Sequence, residues 1–200
     1  MQEKKIYVLL YMTSLLHVLD NGYKHKKQKQ KQLGNYILDE SLSNHNHQTY
    51  YDPNNNKLLF NVTGTHNAKD WLTNLKLATG IGYKESDRYK QSHKALRDAK
   101  QKYNINNATV TGHSQGAATA QYISSKGDRV LTLNRGTTIG SKSREGSKDY
   151  RTNGDLVSLI ASTRHNTINL KNPNNQTGNI AYDILKSHDV KNIKNENLFV

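Results

Sequence analysis

A serine between glycines, in the run Gly112-His113-Ser114-Gln115-Gly116, is the group in this sequence best suited to covalent chemistry. A serine hydroxyl attacks an acyl carbon only when an imidazole takes its proton. The imidazole in turn needs a carboxylate to fix its tautomer and stabilise its charged form. The chain must therefore supply one histidine and one acid from elsewhere. Two histidines follow the serine, His165 and His188. His165 precedes the last expected strand, the wrong end of a sheet, whereas His188 lies in a loop after it and is the favoured base. Among the later acids, Asp128 falls at the far end of the helix after Ser114, and Glu145 and Asp149 come before their strand. Asp183 and Asp189 are too near His188 in sequence to orient it easily. Asp155 alone follows a strand directly. Separations of 41 residues from Ser114 to Asp155 and 33 from Asp155 to His188 each fit a strand, a crossover and a loop.

Those three side chains need a scaffold. Asn107 to Thr111 is short and β-branched, as a buried strand is, and Gln115 to Ser124 is alanine-rich with Ala118, Tyr122 and Ile123 in helical positions. Ser114 thus stands where a strand turns sharply into a helix. Such a turn is strained and admits only small residues two positions to either side, a condition Gly112 and Gly116 meet. A surface turn would carry polar flanks instead. The new helix would aim free N–H groups and its positive dipole end at the reaction centre, favouring an oxyanion.

Earlier in the chain, Ile6 to Leu19 is apolar apart from Thr13, Ser14 and His17. It is shorter than the roughly 20 residues of a membrane span, and no small-residue cleavage site follows it. A helix packed on the domain is favoured over a membrane-dipping anchor, and no compartment is assigned. Asp20-Asn21-Gly22 is expected to end that helix, and Lys24 to Lys31 to form a solvated, mobile basic loop. Gln48 to Tyr51 and Lys57 to Val62 flank a five-residue turn as a hairpin. Asp70 is a candidate helix cap and Trp71 a core residue. A helix from about Lys84 to Tyr103 is expected to turn Tyr89, His93, Leu96, Ala99 and Tyr103 to the sheet. Arg129 to Leu133, Tyr150 to Asn153 and Asn166 to Leu170 complete the strands. Strands alternating with helices predict an α/β fold, a mostly parallel open sheet flanked by helices, with sites at the carboxyl ends of the strands. Ser114, Thr65 and Asp155 all fall there.

Two hundred residues with 34% hydrophobic content suit one domain, with 1–33 as apolar helix and basic loop and 34–200 as the catalytic core. The absence of cysteine excludes disulfides, a cysteine nucleophile and thiolate zinc sites. His45-Asn46-His47 in an asparagine-rich loop is expected to be solvated rather than metal-binding, and neither a metal nor a cofactor is expected. Neither a phosphate-binding glycine loop nor a dinucleotide fingerprint is present. A net charge of +13 implies attraction to polyanions. An anionic membrane surface met by Lys24, Lys26, Lys27, Lys29 and Lys31 is favoured over nucleic acid.

Gly64-Thr65 with Asp70-Trp71 and Asn74-Leu75, then Gly112 to Gly116, Asn153-x-Asp155-x-Val157 and a late His188, resemble the class 3 lipase branch of the α/β-hydrolases. The likeness covers about Tyr36 to Ile193, and the order serine, acid, histidine is the one expected of that superfamily. It implies a serine esterase acting on acyl esters, often of lipids, with Ser114 as nucleophile, Asp155 as acid and His188 as base. Thr65 and the backbone N–H of Gln115 resemble the oxyanion hole. Gln115 stands where the family more often has an apolar residue. A long amphipathic lid is not visible, which leaves phospholipid or short-chain esters as open substrate classes. The competing expectation is a catalytically idle protein of the same fold that binds polyanions or membranes, for example as a particle-associated component.

Overall fold

The computed structural model describes residues 14–65, 87–136, 143–153, 155, 167–170 and 186–193. Eight strands form one sheet, and their order across the sheet is their order in the chain. They are β1 (Gln32–Leu33), β2 (Tyr36–Leu38), β3 (His47–Asp52), β4 (Lys57–Val62), β5 (Thr109–His113), β6 (Arg129–Leu133), β7 (Lys148–Thr152) and β8 (Thr167–Leu170). The first four pair antiparallel, β1 to β2 and β3 to β4 through short turns and β2 to β3 through a longer loop with a 3-10 turn at Glu40–Leu42. From β4 onward every pair is parallel, with Asn61 opposite Thr111 and Gly112 opposite Thr132. This is the expected mostly parallel open sheet.

The period-two alternation of the strands sends their apolar residues to two faces. Leu58, Phe60, Val62, Val110 and Val130 pack against helices α2 (Asp87–Lys102) and α3 (Gln115–Ile123) through Leu96, Ala99, Ala120 and Ile123. Leu59, Leu131 and Leu133 point the other way, where Leu15, Val18 and Leu19 of helix α1 (Leu15–Tyr23) cover them. The apolar stretch at the start of the chain is thus a packed helix over its described part. Among the described residues no helix is long and apolar enough to cross a membrane.

Three local expectations are corrected. Helix α1 runs through Asp20-Asn21-Gly22 to Tyr23. Asn21 and Gly22, which look like stop signals, are both buried for tertiary reasons. The Asn21 amide donates to Tyr50 Oη (2.8 Å) and to the Gln30 carbonyl (2.9 Å), and its oxygen accepts from the Gln30 N–H (2.8 Å). A Cβ on Gly22 would come within 2.6 Å of Asn61 Nδ2, so the helix lies closer to the sheet than any other residue would permit. The second concerns the basic loop, which is exposed over His25 to Gln28 as expected but turns Lys29 inward. It follows a defined path through a 3-10 turn at Lys26–Gln28, and Lys29 Nζ donates back to the Gly22 (2.5 Å) and Asn21 (3.2 Å) carbonyls at the end of α1. Third, α2 presents Ser92, Ala95, Leu96 and Ala99 to the core, and His93 is exposed. Small side chains let the helix approach the sheet, and Tyr89 and His93 stack on each other at its margin, their rings 5.7 Å apart. Asp70, Trp71, His165, Asp183 and the first turn expected for α2 lie outside the described residues.

Candidate active site

Strand β5 ends at His113 and α3 begins at Gln115, leaving one residue for the reversal. That residue, Ser114, has φ 57° and ψ −125°, a region that side chains other than glycine's avoid. The turn is held by the bonds around it. Ser114 N–H donates to the Leu133 carbonyl (3.1 Å), and the Ser114 carbonyl accepts from the N–H groups of Ala117 (3.1 Å) and Gly136 (3.1 Å). A Cβ on Gly112 would sit 2.5 Å from the Gly116 carbonyl oxygen, and one on Gly116 would overlap the carbonyl of Val62. Both glycines are therefore required by backbone contact, as the pentapeptide predicts. Ser114 is buried, and its Oγ has no hydrogen-bond partner among the described residues.

Asp155, just past the end of β7, and His188, beyond β8, meet: His188 Nδ1 lies 3.0 Å from Asp155 Oδ1, and both residues are buried. With Nδ1–H donating to the carboxylate, Nε2 carries the lone pair. Two neighbours fix the main chain at His188. Asn134, the residue after β6, donates from Nδ2 to the His188 carbonyl (3.2 Å) while its Oδ1 accepts from Thr152 N–H (2.8 Å). The second neighbour is His113. Its Nε2–H donates to the same carbonyl (2.8 Å), so its Nδ1 must be an acceptor, and Tyr23 Oη–H fills that role (2.7 Å). Tyr23 Oη in turn accepts from Gly64 N–H (3.1 Å). One unbroken chain of hydrogen bonds thus runs from the loop after β4, through α1 and the residue before Ser114, to the main chain of His188. Burial, and then the nearby His188, hold the His113 imidazole well below its ordinary pKa, so it is neutral as this bonding requires.

No protein-family model matches the chain, and no curated protein sequence does. Solved structures do match. One is a triacylglycerol lipase whose catalytic centre is described as a serine-protease triad; it is 13% identical with a TM-score of 0.56, covering 95% of this chain and 93% of its own. Another is the N225Q mutant of the MDLA protein from Penicillium cyclopium, 12% identical with a TM-score of 0.50, covering 96% of this chain and 85% of its own. The fold is lipase-like. At such identities the likeness is one of architecture alone.

Within this lipase-like fold the remaining candidates fall as follows. Thr65 and Gln115 touch: Thr65 Oγ1 donates to Gln115 Oε1 at 3.0 Å. The polar side chain at 115, a departure from the resembled pattern, thereby fastens the loop after β4 to the first residue of α3. Asp149, disfavoured as the acid by its place before a strand, lies within β7 and is committed elsewhere. It pairs with buried Arg135 at 3.0 Å and accepts from Gln121 Nε2 at 2.9 Å. His47 is buried and stacks on Phe60 at 5.3 Å, as a core residue would. Tyr23, His113 and Asn134 are the site residues that sequence reasoning misses. Asn134 could have been found as the polar residue at the carboxyl end of a core strand. Tyr23 carries no such signal, since its partners lie 41 and 90 residues away.

Proposed function

We propose that the chain is a serine esterase of lipid-type acyl esters, with Ser114 as nucleophile, His188 as base and Asp155 as the acid. The observation that supports this is the bond between His188 and Asp155, together with the link from the His188 carbonyl to His113, the residue before the strained Ser114. In the reaction His188 Nε2 takes the Ser114 proton as Oγ adds to the ester carbonyl. The resulting oxyanion is met by N–H groups at the start of α3, Gln115 foremost, with Thr65 across from it. His188 then protonates the departing alcohol oxygen and leaves an acyl-serine. Water, deprotonated by the same imidazole, cleaves the acyl-serine and restores the hydroxyl. Asp155 stays ionised throughout and steadies the imidazolium. We further infer that an anionic membrane surface presents the substrate, with exposed Lys26 and Lys27 facing it.

A fluorophosphonate probe tests the reading. Wild-type protein should be labelled at Ser114 and hydrolyse a p-nitrophenyl ester. Ser114→Ala should do neither, with turnover down by on the order of a million-fold, the scale of loss when a triad enzyme is deprived of its nucleophile. Folded wild-type protein that takes no label would replace the enzyme with an idle binder of polyanions.

A further inference from the structure

Adjoining the Ser114 site through Tyr23 lies a cleft of about 600 Å³ walled by Tyr23, Leu38 and Lys24, Lys26, Lys29 and Lys31. Its volume is within the range of small-molecule sites. Its position follows from the topology. β3 runs against β4 with His47 opposite Val62, so Ser43, Asn44 and His45 before β3 lie at the carboxyl end of β4, while Leu38, opposite Tyr50 and so level with Leu59, lies at the far end of the cleft. Ser114 also sits at that end of the sheet. The cleft and the site share a residue, because Tyr23 lines the cleft while its hydroxyl bonds Gly64 and His113.

The lining charges are unbalanced. Four lysines face a single carboxylate, Glu40, which pairs with Lys31 at 2.6 Å, and Lys24 leans on Asp20 at 3.3 Å. Lys29 is folded inward against helix carbonyls. Burial, and then Lys24 nearby, push its ammonium down to about 8, so a bound anion would relieve a real cost. Ser43 and Asn44 add neutral hydrogen-bonding groups to the wall. A cleft that gathers its cations around one hollow suits a compact, multiply charged anion. A linear polyanion would need an extended stripe instead.

We propose that this cleft binds the phosphate group of a phosphate-bearing ester, so that the esterase acts on glycerophospholipid-type substrates with the head group in the lysine cleft and the acyl ester at Ser114. This rests on the esterase reading above. The binding arm of its test does not. Glycerol 3-phosphate and inorganic phosphate are titrated calorimetrically into Ser114→Ala protein, and again with Lys26→Glu or Lys29→Gln added. Lys26 is exposed and makes no bond to the helix end, so its variant keeps the test valid if Lys29→Gln unfolds. Glycerol 3-phosphate should bind saturably, and either lysine change should weaken it about tenfold. In the kinetic arm, the preference for lysophosphatidic acid over the matching monoacylglycerol, as a ratio of kcat/KM, should fall about tenfold in the same lysine variants. Absence of saturable binding overturns the proposal. Binding of inorganic phosphate as tightly as glycerol 3-phosphate, with an unchanged substrate preference, also overturns it in favour of a free-phosphate site. If neither ester is hydrolysed but glycerol 3-phosphate binding depends on the lysines, the esterase reading fails and the anion site stands.

Discussion

Tyr23 is the residue on which the most distant parts of the site converge, yet in the proposed mechanism it touches no reacting atom. Tyr23→Phe keeps the ring and removes the hydroxyl, leaving the Gly64 N–H and the His113 Nδ1 without their partner. An orphaned buried polar group costs about 1–3 kcal/mol. Misplacing a reacting group by an ångström costs up to about a hundredfold in rate. The expected outcome is kcat lowered between about tenfold and a hundredfold with KM little changed, measured well below the melting temperature. A drop in melting temperature with kcat unaltered would make the hydroxyl merely structural. The buried imidazoles set a pH dependence of stability. Burial pushes His47 down to about 4, and His113 is shifted the same way. In the unfolded chain both titrate near 6.5, so below that pH the unfolded state binds protons that the folded state does not. Stability is therefore full above about pH 6.5 and falls as pH drops towards 4, by about 3 kcal/mol for His47 alone. Urea midpoints between pH 7 and 4.5 should show the decline, and His47→Gln should make it shallower.

At the scale of elements, α1 is held less by its apolar stripe than by what its last turn reaches. Asn21→Ala would strip partners from Tyr50 Oη, the Gln30 carbonyl and the Gln30 N–H at once. The expected cost in chemical denaturation is about 2–4 kcal/mol, against under 1 kcal/mol for an exposed asparagine. The same turn shows where local reading stops. Strands β4, β5 and β6 are legible in the sequence because their apolar runs are short and bounded by turn residues, with β-branching added in β5 and β6, and the step from Thr111 to Gln115 is legible because that turn needs both glycines. That Asp155 and His188 meet is legible from their places after strands, since order in the chain alone would also admit Asp128 and His165. The end of α1 is not, because asparagine and glycine signal a stop only when they face water. Here one is consumed by a network across the sheet, and the other permits contact with Asn61. Periodicity finds most of the seam of α2, since Leu96 and Ala99 are buried and Tyr89 and Tyr103 pack against the same core, but it takes in exposed His93 and passes over Ser92 and Ala95, whose small side chains give a weak apolar signal.

For the whole molecule, paired charges cancel, so the excess of +13 is carried by cations outside such pairs. Lys100 and Asp128 form a pair with little exposure at 2.7 Å, and Arg135 is sealed against Asp149. Lys26 and Lys27 remain exposed on the turn after α1. Vesicles containing anionic lipid should therefore bind the protein better than neutral ones, and the preference should fade as salt screens it. Lys26→Gln with Lys27→Gln should lower co-sedimentation at low salt, and equal binding to both vesicle types would remove the membrane from the account. The chain of bonds through Tyr23 also bears on how the protein is made. Tyr23 leaves the ribosome 90 residues before His113, which in turn precedes His188 by 75. The site therefore cannot be assembled on a chain that stops short of His188, however early Ser114 emerges. In the proposed enzyme, the first hydrolysis would report that translation has passed His188 and that Tyr23 and His188 have been joined through His113.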